Sequence, residues 1–118
     1  VIRLRTSYFA SPKVKQIVLD DKEDYLISIA RYSPFWFYPV EQMPEIAPDK
    51  NNIKLLKSGE MTEEEFTKRY IKKVEPLLDG IEFKHGSVLL CYETPDEFCH
   101  RNILAKMLSA RGYEIEEL

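Results

Sequence analysis

The chain has 118 residues, 44% of them hydrophobic and 12% aromatic, enough for one domain with a real core and too short for two of ordinary size. Its 17 basic and 20 acidic residues are mixed along the chain, with a net charge of −3, which excludes a general attraction for nucleic acid and leaves only a local basic pocket. No apolar run approaches the roughly 20 residues of a membrane helix, and 2 cysteines are too few for a secreted disulfide framework, so a cytoplasmic protein with free thiols and no membrane association is expected.

Val1 to Thr6 alternates as a strand does, Ile2 and Leu4 on one face and Arg3 and Arg5 on the other, rather than forming the apolar stretch of a signal peptide. A hydroxyl-rich, then aromatic tail, Thr6-Ser7-Tyr8-Phe9, follows before Ser11-Pro12 breaks the run. From Lys13 to Asp24 the pattern supports either a short strand at Ile17-Val18-Leu19 or one helical turn. Tyr25 to Ala30 is the second strand, and it runs into the polar cluster Arg31-Tyr32-Ser33-Pro34. Phe35-Trp36-Phe37-Tyr38 then opens a loop punctuated by Pro39, Pro44 and Pro48, which exclude a central strand. The aromatic run suits a core plug, a lid over a planar ligand, or a partner surface.

Asn51 to Lys57 reads as a short helix closed by Gly59. Thr62-Glu63-Glu64-Glu65 is a capping box, and Phe66, Tyr70 and Val74 mark the buried stripe of an amphipathic helix that Pro76 ends or kinks. Its Lys68, Arg69, Lys72 and Lys73 form a solvated face. This helix is the expected crossover to a third strand, Val88-Leu89-Leu90-Cys91-Tyr92, whose continuous apolar run marks it as central.

The stretch from Ser87 to Arg101 organises the rest. Thr94-Pro95-Asp96-Glu97 combines an N-cap, a first-turn proline and a capping-box acid, so the spacing predicts a helix from Pro95. Ile103, Leu104, Met107 and Leu108 define its buried stripe, His100 falls on that stripe with Cys99 and Arg101 on its flanks, and Gly112 supplies the stop. Tyr113 to Leu118 is a last short strand, placed at the sheet edge by its acids. Alternating strands and helices predict a single small α/β domain over residues 1–118, a mainly parallel sheet flanked by helices in a Rossmann-like three-layer arrangement. If the strands are parallel, their polar tails converge on one carboxyl edge, where such sheets bind ligands.

Several chemistries are excluded or weakened. A cysteine-phosphatase loop needs an arginine six positions after the cysteine, where this chain has Glu97 and Ala105. The four glycines form no Walker or dinucleotide motif, and the sequence leaves any cofactor unknown. A Cys99 nucleophile with His100 as its base is disfavoured because adjacent helical side chains diverge by about 100°. Cys91 and Glu93 share a strand face, but no set of four zinc ligands is visible.

The ordered set Arg5-Thr6-Ser7-Tyr8-Phe9-Ala10, Ile27-Ser28-Ile29-Ala30 leading to Ser33-Pro34, Leu90-Cys91-Tyr92-Glu93, Cys99-His100-Arg101 and a closing Glu117-Leu118 resembles the family catalogued as domain of unknown function 488. The resemblance implies that Glu93, Cys99, His100 and Arg101 are the positions on which a site would rest.

Two functional expectations follow. In the first, a pocket at the carboxyl edge binds a phosphate-bearing small molecule, a nucleotide or a nucleic-acid end. Arg5, Arg31 and Arg101 hold the anion, Ser7, Ser33 and Cys99 contribute contacts, and Glu93 with His100 moves protons or orients water in a hydrolytic step. In the second, the domain is a non-catalytic interaction module. Cys-His-Arg and Glu93 are then a buried stabilising network, Arg101 pairing with Glu93 or Glu97, and the aromatic run meets a protein partner.

Overall fold

The computed structural model describes residues 1–20, 26–31, 34, 36–37, 41–93 and 98–118. The strands are β1 (Arg3–Tyr8), β2 (Leu26–Ser28), β3 (Glu41–Gln42), β4 (Val88–Cys91) and β5 (Glu114–Glu117), and the helices α1 (Pro12–Leu19), α2 (Lys50–Lys57), α3 (Glu63–Leu78) and α4 (His100–Ala110). A 3-10 turn, Pro44–Ile46, precedes α2. The strands form one five-stranded sheet in the order β3-β2-β4-β1-β5, and every neighbouring pair is parallel. The fold is α/β, Rossmann-like and three-layered, as the alternation of elements predicts.

Register decides which side chains share a face. Ser28, Leu90 and Ser7 form one row across the sheet, and Ile27, Leu89 and Thr6 form the row before it. Successive rows point to opposite faces. On one face Leu26, Val88, Leu90 and Phe9 pack with Val14 of α1. On the other, Leu4, Ile27, Leu89 and Cys91 pack with Phe66, Tyr70 and Val74 of α3 and with Ile103, Leu104 and Leu108 of α4. β4 sits in the middle of the sheet with all of its residues buried.

Local chemistry accounts for most of these elements. Thr62 Oγ1 accepts from Glu65 N at 3.1 Å, and three acids in the first turn complement the helix dipole of α3. Pro76 lies inside α3 without ending it. The carbonyl its missing N–H would have served belongs to Lys72, an exposed residue, so water can take the lost bond's place. Gly59, just beyond α2, has φ 82°, a left-handed conformation that suits glycine.

One element decides between alternatives the sequence left open, and two differ from the sequence reading. The ambiguous stretch after Ser11 is helical, with Pro12 in the first turn of α1, a position where proline costs no hydrogen bond. The proline-punctuated loop contains β3, which pairs with β2 at Ile27↔Glu41 and Ser28↔Gln42. As an edge strand it tolerates prolines nearby. The last helix begins at His100, not Pro95: Cys99 is still extended, with φ −148° and ψ 143°, and its sulfur accepts from Arg101 N. The predicted capping signals Thr94-Pro95-Asp96-Glu97 lie outside the described residues.

Candidate functional site

The carboxyl ends of β2 and β4 open into a cleft of about 890 Å³. Arg31 enters it just beyond β2, Tyr92 and Glu93 just beyond β4, and Phe98 and His100 from the start of α4, while Lys57 reaches it from the end of α2. This is the position expected for a ligand in a parallel sheet, because polar side chains leave the strands there and helices approach from the far layer. Arg31 Nε is buried with no hydrogen-bond partner among the described residues.

Glu93 is half-buried. Burial alone would raise its pKa, but hydrogen bonds from its own backbone N–H and from Cys99, the charge of His100, and a hydrogen bond from Cys91 together hold it below the ordinary carboxylate value. It is therefore an anion at neutral pH, an acceptor and not an acid. His100 Nε2 lies 2.9 Å from Ile29 O. A carbonyl can only accept, so Nε2 carries the proton and Nδ1 is the nitrogen left for exchange. The ring also packs against Tyr70, centroid to centroid 5.5 Å.

Behind the cleft lies a polar network inside the protein. Arg101 is 0% exposed, although the sequence places it on a rim. Its Nη1 donates to Ser7 O at 3.0 Å, to Cys91 Sγ at 2.8 Å and to Glu93 O at 2.8 Å. Its Nε donates to Glu117 Oε1 at 3.0 Å, so among the described residues its acid partner comes from β5 and is not the Glu93 carboxylate; Glu97 lies outside the described residues. Cys99 Sγ lies 2.7 Å from Cys91 Sγ and 3.3 Å from Glu93 Oε2. The hydrogen bond to Cys91, and then burial, push the Cys99 thiol well above its ordinary pKa, which opposes a thiolate nucleophile at that position. Both cysteines are free and buried.

The structure thus separates the residues that the sequence groups together. Arg31, Glu93 and His100 share the cleft. Arg5 does not reach it: paired with Val88 at the amino end of β4, its Nη2 donates to Gly86 O. Ser7 shares a row with Leu90 on the α1 face, away from the α4 side, and its hydroxyl is buried without a partner among the described residues. Cys99 lines a separate groove between α3 and α4. Ser33, like Phe35 and Tyr38 of the aromatic run, lies outside the described residues. Of that run, Phe37 packs on Phe9 at 5.1 Å, whereas Trp36 is 54% exposed.

Two contributors were missed. Lys57 ends a helix whose distance from the strand ends no local pattern reveals. The Cys91–Cys99 pairing was partly readable, since Cys91 closes a strand and Cys99 opens the next helix of the same β-loop-α unit. Cys91 Sγ, a Glu93 carboxylate oxygen and Cys99 Sγ lie within 4.8 Å of one another, a set of three donors where a closed zinc site takes four. The Arg101 guanidinium donates to the same Cys91 sulfur, so a cation placed there would meet a fixed positive charge.

Neither the curated proteins nor the solved structures contain a match to the chain. Residues 40–108, which carry the cleft's Lys57 and Glu93 and the Cys-His-Arg start of α4, match the family described as Domain of unknown function DUF488, and the chain belongs to that family.

Proposed function

We propose that the domain binds a phosphate-bearing small molecule, such as a nucleotide or a nucleic-acid end, in the cleft at the carboxyl ends of β2 and β4. The observation that carries this reading is the buried Arg31 Nε, unpartnered among the described residues, on a side chain that lines an open cleft. An unsatisfied guanidinium N–H is costly to bury, and an anion in the cleft would satisfy it. Lys57 supplies a second positive charge, and Tyr92 and Phe98 offer faces for a planar base. Arg101 takes no part in holding the anion, since its side chain is fully buried, with Nε and Nη1 hydrogen-bonded in the interior and Nη2 3.0 Å from the Glu117 carboxylate.

A hydrolytic step would use groups already at the cleft wall. Glu93, held ionised, would orient or deprotonate a water, and His100 Nδ1 would exchange the second proton. The competing reading, a non-catalytic interaction module, is favoured by one observation: Cys99, His100 and Arg101 are all buried and bonded to backbone or to side chains of the protein itself. Exposed Trp36 would then belong to a partner surface.

The two readings part in a thermal-shift screen of nucleoside mono-, di- and triphosphates and inorganic phosphate. Binding at a hundredfold excess over Kd stabilises by about 2.7 kcal/mol, roughly 10 °C in a chain of this size. The shift is expected in the wild type and greatly reduced in Arg31→Ala. No shift with any phosphate compound, or equal shifts in both proteins, would rule out the anion site.

A further inference from the structure

Cys91 Sγ and Cys99 Sγ lie 2.7 Å apart inside the protein, and we propose that they are a dithiol site which a peroxide oxidises reversibly to an intramolecular disulfide. A disulfide bond is about 2.05 Å long, so closing it asks for a movement well under the length of a bond. The fold makes that movement easy to accommodate. Cys91 ends the central strand, but Cys99 is the extended residue before α4, and a shift of its side chain disturbs only the cap bond from Arg101 N, leaving the backbone ladder of the helix in place.

The neighbours supply what the chemistry needs. Cys99 lines a groove of about 610 Å³ between α3 and α4, the route by which a molecule as small as a peroxide reaches sulfur. Glu93 Oε2 stands 3.3 Å from Cys99 Sγ and is placed to take its proton. Arg101 Nη1 stands 2.8 Å from Cys91 Sγ, where it stabilises that sulfur as it gains negative charge.

In the first step Cys91 Sγ, held by the Arg101 guanidinium, attacks one peroxide oxygen and gives up its proton. An S–O bond forms, the O–O bond breaks, and the departing hydroxide recovers the proton as water. In the second step Cys99 Sγ attacks the sulfur of the Cys91 sulfenic acid while its proton passes to Glu93. The S–S bond forms, the S–O bond breaks, and the leaving hydroxide takes that proton as a second water. Two thiols are oxidised and one peroxide is reduced. A dithiol reagent reverses the change.

The test is direct because trypsin releases both cysteines in one peptide, His85 to Arg101. Hydrogen peroxide given to the folded, full-length chain should make that peptide about 2 Da lighter and refractory to alkylation, and dithiothreitol should restore both thiols. In Cys99→Ser the reaction should stop at a sulfenic acid on Cys91, trapped by dimedone. Should that variant not fold, the wild-type experiment still decides: the mass loss is expected at least about tenfold faster in the folded chain than in urea. Two alkylatable thiols after peroxide, oxidation to sulfinic acid without the disulfide, or equal rates folded and unfolded would overturn the proposal.

Discussion

Arg101 Nε donates to Glu117 Oε1 at 3.0 Å, joining the first turn of α4 to the end of β5 across the interior. The two ends of this contact differ in environment: the Arg101 side chain is fully buried, and that of Glu117 is 32% exposed. A guanidinium can be kept away from water only because Ser7 O, Glu93 O and Cys91 Sγ accept from it as well. The carboxyl ends of β1 and β4, and the residues just beyond β4, are thereby held by one side chain.

Truncating Arg101 removes all those donors and leaves a cavity, so Arg101→Ala should lose about 3–5 kcal/mol in urea denaturation. Arg101→Lys should recover little, because a single ammonium cannot span a carboxylate and two separated carbonyls. Glu117→Gln keeps an acceptor and should lose about 1–2 kcal/mol. A loss for Arg101→Ala within the range of ordinary surface substitutions, about 0.5 kcal/mol, would contradict the buried network.

The residues that were legible in the sequence are those whose role is local. Val88 to Cys91 announces a central strand by composition, and Thr62 with Phe66, Tyr70 and Val74 announces α3 by cap and period. The residues that were not legible depend on register or on distant partners. Arg5 and Arg31 both sit near strand ends, but the pairing Arg5↔Val88 sends Arg5 to the amino edge, and nothing near Arg5 in the chain states that register. Helical spacing alone puts Arg101 on the flank of the stripe that carries His100, and so on the rim. Its acceptors come from β1, β4, the turn after β4 and β5, a combination that exists only once the sheet is assembled. The helix start was misjudged because Thr94-Pro95-Asp96-Glu97 carries strong local signals while Phe98 and Cys99 remain non-helical.

Glu93 ties stability to acid pH. Its folded pKa lies below its ordinary value of 4.5, because its hydrogen bonds and the charge of His100 outweigh the effect of burial. The unfolded chain therefore binds this proton more readily than the folded one. The stability contributed is present above the unfolded value and lost as the pH falls through the folded value. Glu93→Gln should show a shallower acid limb in a plot of stability against pH, with the difference from wild type shrinking below about pH 4. Parallel acid limbs in the two proteins would contradict the assignment.

Tyr70 gives the opposite sign at the alkaline end. Burial first, and then the charges of Cys99 and Cys91, raise its phenol above the ordinary value of 10.0, and its hydroxyl donates to Ile46 O at 2.7 Å. The contribution is fully present below the unfolded pKa and declines as the pH rises from there toward the folded value. Tyr70→Phe should lose about 1–2 kcal/mol near neutral pH, since Ile46 O is left without its donor, and should lose less of its remaining stability above about pH 10. Thermal melts across that range measure both effects.

The anion site makes a prediction that separates its two charges by burial. Arg31 is half-buried and Lys57 exposed, so water and salt screen the lysine more. For whichever phosphate compound stabilises the wild type, Arg31→Ala should weaken binding about tenfold or more, equivalent to about 1.4 kcal/mol, and Lys57→Ala by less. Raising the salt from about 0.05 M to about 0.5 M should erase most of the Lys57 effect while leaving most of the Arg31 effect in place. Isothermal titration of both variants at the two salt concentrations is the measurement. If Lys57→Ala proved the more damaging, or if salt abolished the Arg31 effect, the anion would sit at the mouth of the cleft and the buried Nε of Arg31 would have no part in holding it.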